Sequence, residues 1–199
     1  QGPDTSFTES VPPHRNYSGY HGYWPGNSRE VDPRFGTEAE LRMMISAAHD
    51  QDISVILDFV SNHTHEEHPY FSEHRNWYGE VEMPDGSLNI RNWSNETMLT
   101  TWFDTFLPTF DYENNEDAIE QVVDDAIYWV DEYGFDGFRQ DATKHVTHIF
   151  WQRLRSRLDK IFPEKDLFQI GETFGSDELI LSFVNPGELD SQFNFSLYY

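Results

Sequence analysis

Three short apolar runs, each ending in charge, constrain this chain more than any other feature. The first, Ile53-Ser-Val-Ile-Leu-Asp-Phe-Val60, is almost continuously apolar, the pattern of a strand buried on both faces of a parallel sheet. The second covers Gly137 to Asp141 and the third Leu167 to Glu172. Segments of helical period separate them. A helix at Thr37 to Gln51 precedes the first run, with Thr37 and Glu40 as a capping box and Leu41, Met44, Ile45 and Ala48 as its apolar stripe. A second helix spans Glu116 to Tyr133, capped by Asn115, with acids in its first turn and Gly134 at its end. A third covers Thr147 to Ile161, turns Phe150, Trp151, Leu154, Leu158 and Ile161 inward, and stops at Pro163. A short helix at Asp177 to Phe183 leads to a last strand, Ser191 to Phe195. Helices and strands in this alternation predict an α/β fold with a parallel sheet. Residues 1–36 read as a long loop, which Tyr17, Tyr20, His21, Tyr23 and Trp24 argue is ordered. Residues 61–114 read as an irregular excursion between regular elements.

Composition narrows the partners. The chain has 199 residues, enough for a sizeable core. Its 13 Lys and Arg against 36 Asp and Glu give a net charge of -23, a field that repels nucleic acid and anionic lipid but not a neutral ligand such as a sugar. Aromatic residues make up 16%, which suits a bulky core or a carbohydrate site. There is no Cys and hence no disulfide framework. No run approaches the ~20 apolar residues of a membrane span. The start, Gln1-Gly-Pro-Asp, has no charged-then-apolar leader pattern. A soluble protein is expected, and secreted, periplasmic and cytoplasmic locations all fit.

Side chains two apart on a strand share a face, so Arg139 and Asp141 point the same way, opposite Gln140 and Ala142. An Arg beside an Asp is expected to keep the carboxylate ionised at low pH, as a strand-end nucleophile requires. A plain ion pair at a sheet edge would use the same residues. Glu172, at the end of the next predicted strand, follows Ile170 and Gly171. Apolar surroundings would raise its pKa and suit an acid/base. Two carboxyls ~5 Å apart in those roles are the apparatus of a retaining glycosidase. Asp58-Phe-Val-Ser-Asn-His63 adds an acceptor at the strand end and a His able to donate to a ligand hydroxyl. His63-Thr-His-Glu-Glu-His68 contains zinc-type ligands, but its spacing fits neither helical metalloprotease motif, and a solvated loop is the stronger reading. Tyr20-His-Gly-Tyr-Trp24 offers rings either for stacking on a sugar or for anchoring a loop.

Taken together, these stretches resemble the α-amylase family of glycoside hydrolases. Asp58-Phe-Val-Ser-Asn-His63, Gly134-Phe-Asp-Gly-Phe-Arg-Gln-Asp-Ala-Thr-Lys-His145 and Ile170-Gly-Glu172 look like its first three signatures, and Tyr20-His-Gly-Tyr-Trp24 like its aromatic loop. The resemblance implies a (β/α)8 TIM barrel, present in part as about strands 3 to 6. Residues 1–62 and 111–199 would form the barrel portion, and 63–110 an irregular B domain inserted after strand 3. It implies Asp141 as nucleophile, Arg139 as its partner and Glu172 as acid/base. Tyr23 would stack on the sugar, His21 and His63 would contact its hydroxyls, Asp58 would line the base of the site, and Lys144 and His145 would line the leaving-group side. The expected partner is an α-glucan or malto-oligosaccharide, cleaved by retaining double displacement. A glucanotransferase, a glucosyl isomerase, a non-catalytic glucan-binding or structural relative, and an inactive fragment stay open beside it. Two departures stand out. Nothing matches the family's fourth signature, which carries a third catalytic Asp, so the isolated chain is expected to be poorly active. The resemblance also implies Ca²⁺ held by an Asn such as Asn62, the carbonyl of His145 and an Asp in Leu-Pro-Asp. Here that triplet is Leu107-Pro-Thr109, leaving Asp104 or Asp111 to substitute.

Overall fold

The structure, a computed structural model, describes residues 6–197. Two compact units emerge. The segment up to Ser28 and Asn62–Ala118 form the first, and Arg29–Ser61 with the chain from Ile119 onward forms the second. The segment up to Ser28 thus groups with the excursion.

The second unit is built on a four-stranded parallel sheet of β3 (Ile56–Phe59), β4 (Gly137–Gln140), β5 (Phe168–Gly171) and β6 (Ser191–Gln192), in that order. The helices fall close to their predicted places: α1 (Glu38–His49), α3 (Glu116–Tyr133, whose first turn lies in the first unit), α4 (His148–Ile161) and α5 (Asp177–Ser182). Thr37 and Glu40 close the expected capping box on α1. Ile119, Val122, Val123, Ala126, Val130 and Tyr133 form the buried stripe of α3, and Phe150, Trp151, Leu154 and Leu158 that of α4. Arg155 is buried with them. It donates through Nε to the Glu188 carbonyl (3.0 Å) and pairs with Asp190 (2.6 Å), tying α4 to the chain entering β6.

Several expectations do not hold. The apolar run at residues 53–60 is not buried on both faces: Ile53 is 57% and Ile56 39% exposed. Among the described residues β3 pairs only with β4. Met44 and Ile161 are also exposed, Ile161 because it is the last residue of its helix. The strand expected at Ser191–Phe195 keeps only two residues. The Asn194 side chain accepts the Leu197 N–H (3.2 Å) and begins a 3-10 turn there.

Residues 1–36 are not loop throughout, although residues 1–5 lie outside the described residues. β1 (Ser6–Thr8) and β2 (Asn16–Ser18) form an antiparallel pair in the first unit, too short to leave a periodic signal, with Phe7 opposite Tyr17. Phe7 also packs on the core of that unit, Trp24, Phe106 and Leu107. The excursion adds one short helix, α2 (Pro69–Glu73), and is otherwise held by isolated bridges such as His63 with Thr109 and Tyr78 with Phe110.

One backbone position governs how β4 meets β5. A Cβ on Gly137 would collide with the carbonyl oxygen of Phe168, the residue opposite it in register. Only glycine permits this approach.

Candidate active site

The parallel register brings the charges together. Asp58 on β3 lies opposite Arg139 on β4, and Arg139 lies opposite Ile170 on β5. Period two then carries Asp141 and Glu172, each just beyond its strand, onto that same face. The ladder continues past the strand ends: Asp141 N–H donates to the Phe59 carbonyl and Glu172 N–H to the Gln140 carbonyl, both at 3.0 Å.

Three carboxylates surround one guanidinium. Arg139 donates through Nη1 to Asp141 Oδ1 at 2.6 Å and to Asp58 Oδ1 at 2.7 Å, and its Nη2 lies 2.6 Å from Glu172 Oε2. The Arg139 and Asp141 side chains are 15% and 12% exposed, those of Glu172 and Asp58 35% and 48%. Burial works against the charge on Arg139, but hydrogen bonding and the carboxylates hold its pKa above the ordinary value. Asp141 departs from expectation. Burial lifts its pKa to about 6, with Glu172 and Asp58 pushing the same way, and the bond from Arg139 offsets only part of this. Proximity to Arg139 was expected to keep the carboxylate ionised at low pH, but desolvation is the larger effect. Glu172 also differs from expectation: its carboxylate lies against the Arg139 guanidinium and its side chain is 35% exposed.

Lys144 and His145 lie in a 3-10 turn, Thr143–His145, directly after Asp141 and Ala142. Lys144 Nζ donates to the Phe174 carbonyl at 2.7 Å, and burial lowers its pKa. His145 is buried.

The remaining predicted residues belong to the first unit. His21 Nδ1 accepts the Tyr23 N–H (2.9 Å), and the two rings stack with centroids 5.7 Å apart. His63 is not the open donor inferred from sequence. It is 3% exposed, its Nε2 lies 3.0 Å from the Tyr23 carbonyl and its Nδ1 3.2 Å from Asn62 Nδ2, so it anchors the aromatic loop. The zinc reading of His63–His68 finds no support. His65 is enclosed by Phe7, Trp24 and Phe106, and His68 Nε2 meets the Ser28 hydroxyl at 3.0 Å.

The cation site implied by Asn62 can be tested on its donors. Asn62 Oδ1 is buried without a hydrogen-bond partner, as a metal ligand would be. Its neighbours do not complete the set. The Thr109 hydroxyl donates to the Thr101 carbonyl (2.9 Å). The Asp104 carboxylate accepts the Ser10 and Thr105 N–H groups and pairs with Arg91. Asp111 accepts from the Asn114 amide. Among the described residues no cluster of three or more His, Asp or Glu could hold a metal. A hard dication needs carboxylate oxygens, and the carboxylates of Asp104 and Asp111 both carry protein partners.

The α-amylase catalytic-domain family model matches residues 10–199. The chain belongs to the α-amylase family. It is 31% identical to α-amylase 3 of Dictyoglomus thermophilum over 89% of this chain and 38% of that protein. It is 32% identical to a cyclomaltodextrin glucanotransferase of a Bacillus species over 90% of this chain and 28% of the other. The crystal structure of an Anoxybacillus α-amylase superposes with a TM-score of 0.79 at 30% identity, covering 96% of this chain and 40% of that one. The fold is therefore a (β/α)8 barrel in part, with β3 to β6 as the portion present. The chain spans about two-fifths or less of these family members.

Proposed function

We propose that this chain carries the nucleophile and acid/base of a retaining, α-glucan-active enzyme of the α-amylase family. One observation carries the reading: Arg139 holds Asp141 and Glu172 on its two terminal nitrogens, at the carboxyl ends of adjacent parallel strands, where α/β barrels place their chemistry. Asp141, once ionised, attacks the anomeric carbon while Glu172 delivers its proton to the departing glycosidic oxygen. Water then attacks the glycosyl–Asp141 ester, gives its proton to Glu172 and regenerates both groups. Arg139 stabilises the carboxylates between steps, and Asp58 holds Arg139 in place. Lys144 and His145, on the turn after Asp141, line the leaving-group side. Similarity to a glucanotransferase favours transfer to a second glucan as an alternative to water.

The test is a trap. Incubation with 5-fluoro-α-glucosyl fluoride should add one glycosyl mass to the peptide containing Asp141, and D141N should abolish the adduct. Labelling at another carboxylate would refute the assignment. Products from maltoheptaose then separate hydrolysis from transfer.

A further inference from the structure

We propose that Thr143 is a positioning residue, locking the backbone that carries the acid/base onto the turn that carries the nucleophile. The inference rests on the roles proposed for Asp141 and Glu172.

Ala142 adopts a left-handed conformation, φ 49° and ψ 39°, which a residue with a Cβ takes up at a cost of about 1 kcal/mol. The bend folds the chain back immediately after Asp141 and drives Thr143 into the gap between β4 and β5, where it is fully buried. There it makes three bonds. Its N–H donates to the Glu172 carbonyl (3.0 Å), its hydroxyl donates to the Gln140 carbonyl (3.0 Å), and that hydroxyl oxygen accepts the Glu172 N–H (3.0 Å). Both backbone groups of Glu172 are thereby held by the residue two positions after Asp141.

Gly171 makes room for this arrangement. A Cβ there would stand 2.7 Å from Thr143 Oγ1 and would collide with the Gln192 amide. Arg139 couples the two carboxylates through their side chains, but a guanidinium bond must yield when a sugar enters between them. The Thr143 link joins its buried hydroxyl and N–H to the backbone of Gln140 and Glu172, leaves both carboxylates unengaged, and persists through both displacement steps. Placement errors of about 1 Å can cost roughly a hundredfold in rate.

The test compares T143V, which keeps the shape and removes the hydroxyl, with T143S, which keeps the hydroxyl. In the unliganded chain the Glu172 N–H is shared between the Gln140 carbonyl and the Thr143 hydroxyl, so in T143V, where one of the two acceptors is lost, the Glu172 amide should exchange about threefold faster with solvent. The ¹³C carboxyl resonances of Asp141 and Glu172 should move in the same variant. T143S should restore both within twofold. The low rate of maltoheptaose cleavage expected of this chain should fall about tenfold further in T143V with KM unchanged and recover in T143S. T143A replaces T143V if the valine variant fails to fold. Wild-type exchange and carboxyl resonances in the variant lacking the hydroxyl would overturn the inference. D141N separates the two readings: glucan cleavage that survives it defeats the proposed function, while the exchange and resonance measurements still decide on Thr143.

Discussion

Replacing Asp141 by Asn should stabilise the fold, and only above a defined pH. In the unfolded chain Asp141 ionises near 3.8, whereas in the fold burial holds that step to about 6. A carboxyl raised in this way contributes stability that is fully present below the unfolded value and is lost as pH rises through the folded one. The displacement of about two units, at ~1.4 kcal/mol each, amounts to roughly 3 kcal/mol. Above pH 7 the ionised carboxylate costs the wild-type fold that amount even with Arg139 bonded to it, and Asn avoids the cost. D141N and wild type should therefore unfold alike near pH 4 and diverge through pH 5 and 6. At pH 7 to 8, with a urea slope of about 2 kcal/mol/M, the variant's midpoint should lie about 1.5 M higher. D131N, at an exposed site on α3, controls for the loss of one negative charge from a chain of net charge -23. A midpoint difference that does not vary with pH, or a D141N less stable than wild type at pH 7, would refute the reasoning. The same ionisation should set the acid limb of kcat/KM near pH 6, because only the carboxylate attacks.

Ca²⁺ and EDTA should leave the melting temperature of the wild-type chain unchanged within a degree, and calorimetry should detect no binding. T109D, which places a carboxylate beside Asn62, should acquire Ca²⁺-dependent stability, and micromolar Ca²⁺ binding by wild type would contradict this account. G137A forces a Cβ into the Phe168 carbonyl, an obstacle of backbone that no side-chain rotation relieves, and should cost about 3 kcal/mol in urea unfolding; a loss below about 1 kcal/mol would show that β4 and β5 can part without consequence.

The alternation of helices and strands was legible because each element carries a local signal. The capping box at Thr37 and the stripes of α3 and α4 are examples. Period two in Arg139-Gln-Asp141 and the apolar runs ending in Asp58 and Glu172 put the charged groups at strand ends from residue type and spacing alone. The hairpin of β1 and β2 left no trace, since strands of three residues are too short to show a period. The burial of His63 was equally hidden, because it depends on Tyr23, forty residues away in the chain.

Asp58, Arg139, Asp141 and Glu172 were therefore set by sequence as candidates, through residue type and spacing alone. Tertiary structure decided what they experience. Desolvation depends on every atom packed around a group, and it reverses the effect on Asp141 expected from its neighbour Arg139. The link from Thr143 to Glu172 exists only because the left-handed turn at Ala142 meets a strand end twenty-nine residues further on, a contact for which local sequence carries no period, cap or motif.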